Sequence, residues 1–287
     1  MLSGNSKFQP GDKFIYGIFG IQYQGEEPSG RPAELIKDAG VWRETLTVSS
    51  SRMQNAVSRE HKYGINGLDD MEMFTEKIGY WGCPRDRIHE SSPDEQFTSP
   101  LENMPHSVPE TETIRSGRTV ITDLPDSICF LVEGQDHSLT TPVERTHWFD
   151  EFDDLVTGWM QDFGEDTIEN GLLSVRIGYV PGNGKSKGTQ PVNLAHNRKI
   201  ELFYWLDMKK FERIGRVHRG HQKIRKKFMD DYCPVGRMGN GIRKITLWEE
   251  TSIMKGGQIQ AEYVGCREGT AFMAYDKSGV IKSKTVS

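Results

Sequence analysis

Two histidines three residues apart, His218 and His221, are the clearest candidates for a chemical role in this sequence. They lie in segment 199–232, whose pattern predicts a buried strand followed by an amphipathic helix over 208–229. Six side chains recur at alternating spacings of three and four residues and share one helix face: Phe211, Ile214, His218, His221, Arg225 and Phe228. Imidazole is costly to bury unless its ring nitrogens find partners. His221 is therefore either a satisfied core residue or a ligand.

The spacing of the two histidines suits a zinc ion or a haem iron. No HExxH motif and no nearby cysteine accompanies them, which disfavours zinc. The same helix carries nine basic residues: Lys209, Lys210, Arg213, Arg216, Arg219, Lys223, Arg225, Lys226 and Lys227. We interpret them first as a solvated outer face. The alternative is a surface for an acidic partner, either nucleic acid or the carboxylates of a cofactor.

Glu249 is a second candidate, on a strand predicted over 245–253. The alternate residues that share a face with Glu249 form the more aliphatic side of that strand. If this face lies in the core, desolvation raises the pKa of the Glu249 carboxyl, which suits a general acid. If Trp248 faces inward instead, Glu249 is exposed. The sequence leaves both orientations open.

The composition bounds the class of protein. The chain has 287 residues, 35% hydrophobic and 27% charged, with a net charge of −5, which argues against a protein that mainly wraps nucleic acid. No apolar run has the length of a membrane span, and the polar start predicts no signal peptide. The four cysteines show no CxxC pairing, so we expect free thiols in a reducing compartment, the cytoplasm.

The elements that position these residues follow from periodicity. Strands are predicted over 13–24, 73–82, 118–136 (around a turn), 172–180 and 258–266, in addition to those above. Helices are predicted over 32–46 and, behind a TPVE capping box at Thr141, to about Gly164. The second of these has a predicted buried stripe that runs from Val143 to Phe163. Segment 91–111 is predicted to be a long surface loop. The order indicates an α+β fold with antiparallel sheets and helices on one face.

Seven segments, in this order, carry a resemblance to a known family: GIFGIQYQGE (17–26), GYWGCPRDR (79–87), ICFLVEGQD (128–136), the WFDEF helix, HRGH (218–221), KITLWEETSI (244–253) and EYVGC (262–266). Together they resemble the haem-containing aldoxime dehydratases, the phenylacetaldoxime dehydratase family. Each match alone is weak, but the shared order and spacing make chance a poor explanation.

The resemblance implies a dimeric α+β barrel fold with two fused ferredoxin-like halves. We place a shortened N-terminal half, including loop 91–111, at 1–115 and a C-terminal half with the haem site at 116–287. Between GIFGIQYQGE and GYWG the chain is shorter than the family by about a strand–helix–strand unit. The implied reaction removes water from R–CH=N–OH, bound through nitrogen to ferrous haem b, and gives a nitrile. The alternatives are a haem protein with diverged or no catalysis, and a binding module that uses the basic helix without haem.

The resemblance also implies roles for particular residues. The proximal haem ligand falls on His221, and we assign His218 with it to cofactor binding. A distal arginine falls on Arg87. The family's distal serine and catalytic histidine fall on Glu133 and Glu249, so both of these positions are glutamate here. The expected partners are haem and a small-molecule substrate; a homodimer is one option for the assembly.

Overall fold

The computed structural model describes residues 13–21, 40–58, 72–73, 83–165, 171–181, 196–239, 241 and 243–286. The described strands are β1 Lys13–Ile21, β2 Val41–Ser49, β3 Met53–Val57, β4 Glu72–Met73, β5 Ile114–Asp123, β6 Ile128–Asp136, β7 Leu172–Pro181, β8 His196–Trp205, β9 Thr246–Met254, β10 Ile259–Arg267 and β11 Lys282–Val286. The described helices are α1 Pro142–Glu151, α2 Asp153–Glu165, α3 Met208–Val217 and α4 Arg219–Tyr232.

The strands form two sheets, in the orders β1-β2-β10-β5-β11 and β4-β3-β9-β6-β8-β7. Neighbouring strands are antiparallel except for the short parallel pair β3–β4. From β6 to β9 the chain runs strand, helices, strand, strand, helices, strand, and these four strands lie in the order β9-β6-β8-β7. This is the ferredoxin-like βαββαβ arrangement. The predicted α+β fold is confirmed.

The second sheet is covered on both faces. Phe130 and Tyr204 pack in one apolar cluster with Leu46 and Tyr263 of the first sheet. The neighbouring residues Leu131, Phe203 and Ile253 belong to another cluster, with Trp159 of α2 and Ile214 of α3. Because side chains alternate along a strand, β6, β8 and β9 present every second residue to the helices. Any site between this sheet and the helices is built from that half of the residues.

The division into 1–115 and 116–287 stays a prediction. In the described residues, β5 crosses residue 115 and each sheet contains strands from both ranges. None of the described helices is long and apolar enough to cross a bilayer.

The strands predicted from periodicity are confirmed wherever they are described, as β1, β5, β6, β7, β8, β9 and β10. Residues 22–24 and 74–82, which we predicted to be strand, lie outside the described part of the chain. Loop 91–111 contains neither helix nor strand, as predicted. Buried Phe97 anchors it, and the Ser99 amide donates to Asp207, the residue that caps α3.

The helix predicted over 32–46 is wrong where it can be compared, because 41–46 belongs to β2. Glu44, Leu46 and Val48 alternate as buried residues along that strand. Glu44 is fully buried because Arg176 and the hydroxyls of two tyrosines bind its carboxylate. When Glu44 is assumed to be exposed, the alternation of buried residues that is typical of a strand cannot be seen in the sequence of β2. Residues 32–39 lie outside the described range.

The helix behind Thr141 begins as predicted, since the Thr141 side chain accepts from the Glu144 amide at 3.2 Å. It then differs in two ways. The chain breaks at Phe152 into α1 and α2, and Val143 of the predicted stripe is 61% exposed. The predicted positions Trp148, Phe152 and Trp159 are buried.

The Glu144 carboxylate positions the strand that carries Glu249. It accepts hydrogen bonds from the amides of Lys244 and Ile245 at 2.7–3.0 Å, directly before β9. Glu144→Ala is expected to lower the free energy of unfolding by about 2–4 kcal/mol, because two amides lose their acceptor. Chemical denaturation measures the change. The control is Asp150→Ala, an exposed site on the same helix, which is expected to change stability by less than about 0.5 kcal/mol. Equal losses in the two variants would contradict this account.

Candidate functional site

A cavity of about 390 Å³ lies between the second sheet and helices α2, α3 and α4. Its walls are largely apolar and include Leu131, Trp159, Phe203, Phe211, Ile214 and Ile224. His221, Glu133, Glu201 and Glu249 also line it. The cavity therefore brings the candidate ligand His221 together with both candidate acid–base residues, from one helix and two different strands.

His221 is held by a break in the helix, where we had predicted continuous helix over 208–229. His218, with φ −73° and ψ 120°, separates α3 from α4. The break leaves carbonyls at the end of α3 without helical partners. The Gly215 carbonyl accepts from Nδ1 of His221 at 3.0 Å, and the Gln222 side chain donates to the next carbonyl, that of Arg216. The α3–α4 break is thus closed by side chains of the second helix.

This hydrogen bond sets the state of the His221 ring. A carbonyl can only accept, so Nδ1 carries the hydrogen and Nε2 keeps its lone pair. Burial lowers the pKa of His221, which keeps the ring neutral near pH 7. Metal-binding histidines commonly donate their second ring N–H to a backbone carbonyl in this way. His221 is therefore prepared as a ligand. His218 lies at the break and is not part of the cavity wall, so its role in cofactor binding stays a prediction.

The polar part of the cavity is a row of three glutamates, which we call the carboxyl row: Glu201, Glu133 and Glu249. Glu133 on β6 is directly opposite Glu201 on β8 and Glu249 on β9. The sequence alone did not single out Glu201. Alternation along β8 does place Lys199, Glu201 and Phe203 on one face. The role of Glu201, however, depends on which residues of the neighbouring strands lie beside it, and one strand's sequence does not contain that information.

Glu249 lies at one end of the row, 8% exposed, which settles the orientation that the sequence left open. Its Oε1 accepts from Gln54 Nε2 at 2.8 Å and from Thr251 Oγ1 at 3.0 Å. Nη2 of Arg87 lies 3.8 Å from the same oxygen, and Nε of Arg87 donates to the Gln54 side chain at 2.8 Å. Burial raises the pKa of Glu249, while Arg87 and both hydrogen bonds oppose the rise. Trp248 is buried as well, so both faces of β9 are covered.

The other two carboxyls are also hard to ionise. Burial raises the pKa of Glu201 to about 7, against the lowering effect of the Lys199 ammonium. Burial, and then the negative charges of Glu201 and Glu249, hold the pKa of Glu133 well above its usual value. Carboxyls that stay protonated near neutral pH inside an apolar cavity are suited to general acid catalysis.

Gly134, the neighbour of Glu133 on β6, leaves room for the ring of Trp248. A Cβ on Gly134 would lie 2.1 Å from the ring carbon Cζ2 of Trp248, so only glycine fits beneath that ring. The ring covers β6 next to Glu133, across the Gly134–Trp248 pair of the register. The close approach of Trp248 thus accompanies the pairing of Glu133 with Glu249.

Comparisons with known proteins identify the family of the chain. A family model described as "Haem-containing dehydratase" matches residues 29–272. The phenylacetaldoxime dehydratase of Bacillus sp. (strain OxB-1) is 23% identical over 249 residues, 86% of this chain and 66% of that protein. The aliphatic aldoxime dehydratase of Pseudomonas chlororaphis is 24% identical over 215 residues, 72% of this chain and 53% of that protein. The chain thus spans between about half and two thirds of the length of these relatives.

Solved structures show the same fold. A crystal structure of an aldoxime dehydratase in complex with butyraldoxime superimposes with a TM-score of 0.64 and 19% identity, over 85% of this chain and 63% of that one. A second aldoxime dehydratase structure gives a TM-score of 0.63 and 20% identity, over 85% and 64% of the two chains. At these identities the likeness is one of fold.

Proposed function

The chain belongs to the haem-containing dehydratase family, and from this membership we propose that it is a haem-dependent lyase. The proposed reaction removes water from an aldoxime, R–CH=N–OH, or a related N–O substrate, and gives a nitrile in the aldoxime case. The observation that carries the proposal is the cavity that places His221, with its free Nε2 lone pair, in one space with Glu133 and Glu249.

The residues of the cavity fit a haem. Nε2 of His221 would bind the iron, and the apolar walls suit the macrocycle. Arg216 and Arg225, exposed residues that also line the cavity, would bind the haem carboxylates. This supports the cofactor interpretation of part of the basic face of the helices. When bound, the iron supplies a coordination site for the substrate nitrogen.

The side chains of the carboxyl row supply the proton transfers. Dehydration moves one proton to the hydroxyl oxygen and removes one from carbon, while the N–O bond breaks and its electron pair leaves with water. A protonated glutamate gives the first proton, and a carboxylate takes the second, so each turnover leaves the number of protons on the row unchanged and moves one proton from the donor to the acceptor. Arg87, held by Gln54 beside Glu249, would hold the hydroxyl oxygen or the departing water.

A second candidate function is a haem protein of the same fold without this catalysis. It is favoured by the two glutamates, Glu133 and Glu249, at positions where the family resemblance implies serine and histidine. Two ionised carboxyls would repel an anionic ligand and change the chemistry of the cavity.

Turnover separates the two candidates. Haem-loaded protein, reduced and kept anaerobic, is incubated with aryl and alkyl aldoximes, and nitrile is measured by gas chromatography. Nitrile formation that requires both haem and reductant is expected. A stoichiometric haem band without nitrile from any aldoxime would support the second candidate. No saturable haem band would reject both and favour a binding module that uses the basic helix.

The assembly and the location of the protein are also proposals. A homodimer stays one option for the assembly, and sedimentation of the purified protein tests it. A cytoplasmic location is supported by the four cysteines, which are all free thiols in the described part of the chain.

A further inference from the structure

Among the residues that the structure describes, the carboxyl row has a cation beside each end and none beside its centre. At one end, Nζ of Lys199 lies 3.6 Å from Oε1 of Glu201. At the other end, Nη2 of Arg87 lies 3.8 Å from Oε1 of Glu249. In the described part of the chain, the central carboxyl of Glu133 makes no ion pair and no hydrogen bond. A cation favours the ionised form of the carboxyl beside it. Glu133, at the centre, is therefore the carboxyl of the row that is protonated most easily.

Lys199 is itself unusual, since its side chain is fully buried. Its ammonium donates to Thr157 Oγ1 at 3.0 Å and lies 3.5 Å from Oδ1 of Asp153, both on α2. A buried ammonium persists only where acceptors surround it. Glu201 is one of these partners, so the Lys199 site and the ionised form of Glu201 stabilise each other.

We propose that Glu201 is a third functional carboxyl of this cavity: because Lys199 favours its ionised form, it releases its proton before Glu133 does, and it is a positioning residue that confines the transferable proton to Glu133. The proposal rests on the proposed function for the use of that proton. In the reaction, Glu133 is then the donor to the hydroxyl oxygen and Glu249 the acceptor of the carbon proton. The protonation pattern itself requires neither haem nor turnover.

The groups that face Glu133 agree with this assignment. They are Glu201 on β8, Glu249 on β9, Arg87 beyond Glu249, Lys199 and Asp153 beyond Glu201, and Cys83, Glu212, Arg216, His221 and Arg225 on the cavity wall. Burial and the two neighbouring charges hold the pKa of Glu133 well above its usual value, while Lys199 opposes the rise in the pKa of Glu201 to about 7. Because Lys199 lies beside Glu201 and favours its ionised form, Glu201 is the carboxyl of this pair that loses its proton first as the pH rises.

The test is infrared titration of the full-length protein, following the C=O band of protonated carboxylic acid. The difference between wild type and Glu133→Gln is expected to show one such band at pH 7–8. Glu201→Gln removes the neighbouring charge, so the midpoint of this band is expected to fall by about one pH unit or more. Glu201→Asp, which withdraws the charge by one methylene, should shift the midpoint in the same direction but less, and it serves if Glu201→Gln fails to fold.

Glu212→Gln is the matched control. Glu212 also lines the cavity, but Arg85 and Cys83 bind it and its pKa is lowered, so the band should not change. An unchanged midpoint in both Glu201 variants would overturn the proposal. So would a band that survives in Glu133→Gln and disappears in Glu249→Gln. If only the proposed function fails, the protein will bind no haem or form no nitrile, while the infrared titration still gives the expected result.

Discussion

His221→Ala is expected to lose haem affinity by more than about 100-fold. Loss of a residue that only orients a metal ligand already costs about 10–100-fold in affinity, and this substitution removes the proposed ligand itself. Titration with haem, followed by absorbance, measures the effect on wild type and variant side by side. The wild type should give a saturable Soret band at one haem per chain, and the variant a weak, shifted and unsaturated one.

His218→Ala is the control, because it removes a histidine from the same HRGH motif, three residues earlier. His218 lies at the α3–α4 break and not in the cavity wall, so its loss should leave the band nearly unchanged. Equal weakening by the two substitutions would show that both histidines bind the cofactor, as the sequence prediction has it. Weakening by His218→Ala alone would contradict the account of His221 as the ligand.

The fold could be predicted from the sequence wherever the periodicity of the apolar residues matches the residues that are buried in the structure. β10, in which buried positions alternate along most of the strand, was predicted within two residues, and so was β9, although both of its faces are covered. β2 was mistaken for helix because Glu44, buried by Arg176 and tyrosine hydroxyls from other strands, has the composition of a surface residue. Its partners are more than 130 positions away in the chain. No local pattern contains that information.

The site shows the same limit. Periodicity placed His221 on the inner helix face, and the face does line the cavity at Phe211, Ile214 and Phe228. The break at His218 was invisible, because it is stabilised by hydrogen bonds from the next helix to the end of the previous one. Glu201 was missed because its importance comes from β6 beside it, where the register places Glu133 opposite. Register is a property of strand pairs rather than of one segment.

Replacing either of the proposed catalytic glutamates, Glu133 or Glu249, by glutamine is expected to reduce kcat by about 10²–10⁴-fold, the usual contribution of a positioned acid or base. Glu133→Gln removes the proton donor, and Glu249→Gln removes the acceptor that Gln54 and Thr251 hold in place. Neither carboxyl would bind the iron, so haem affinity should change little. Nitrile formation under anaerobic, reducing conditions gives kcat, and the Soret band gives the haem content of each variant.

Glu250→Gln is the matched control, one residue along β9 on the opposite face. There it accepts from the Tyr16 hydroxyl at 3.0 Å, a bond that an amide oxygen can also accept, and it does not line the cavity. Its kcat should stay within a few-fold of wild type. The double variant of Glu133 and Glu249 should lose little more than the worse single one, because donor and acceptor act as a unit. Turnover that persists in Glu249→Gln but is lost in Glu133→Gln would make Glu133 both donor and acceptor, and Glu249 would then only orient it.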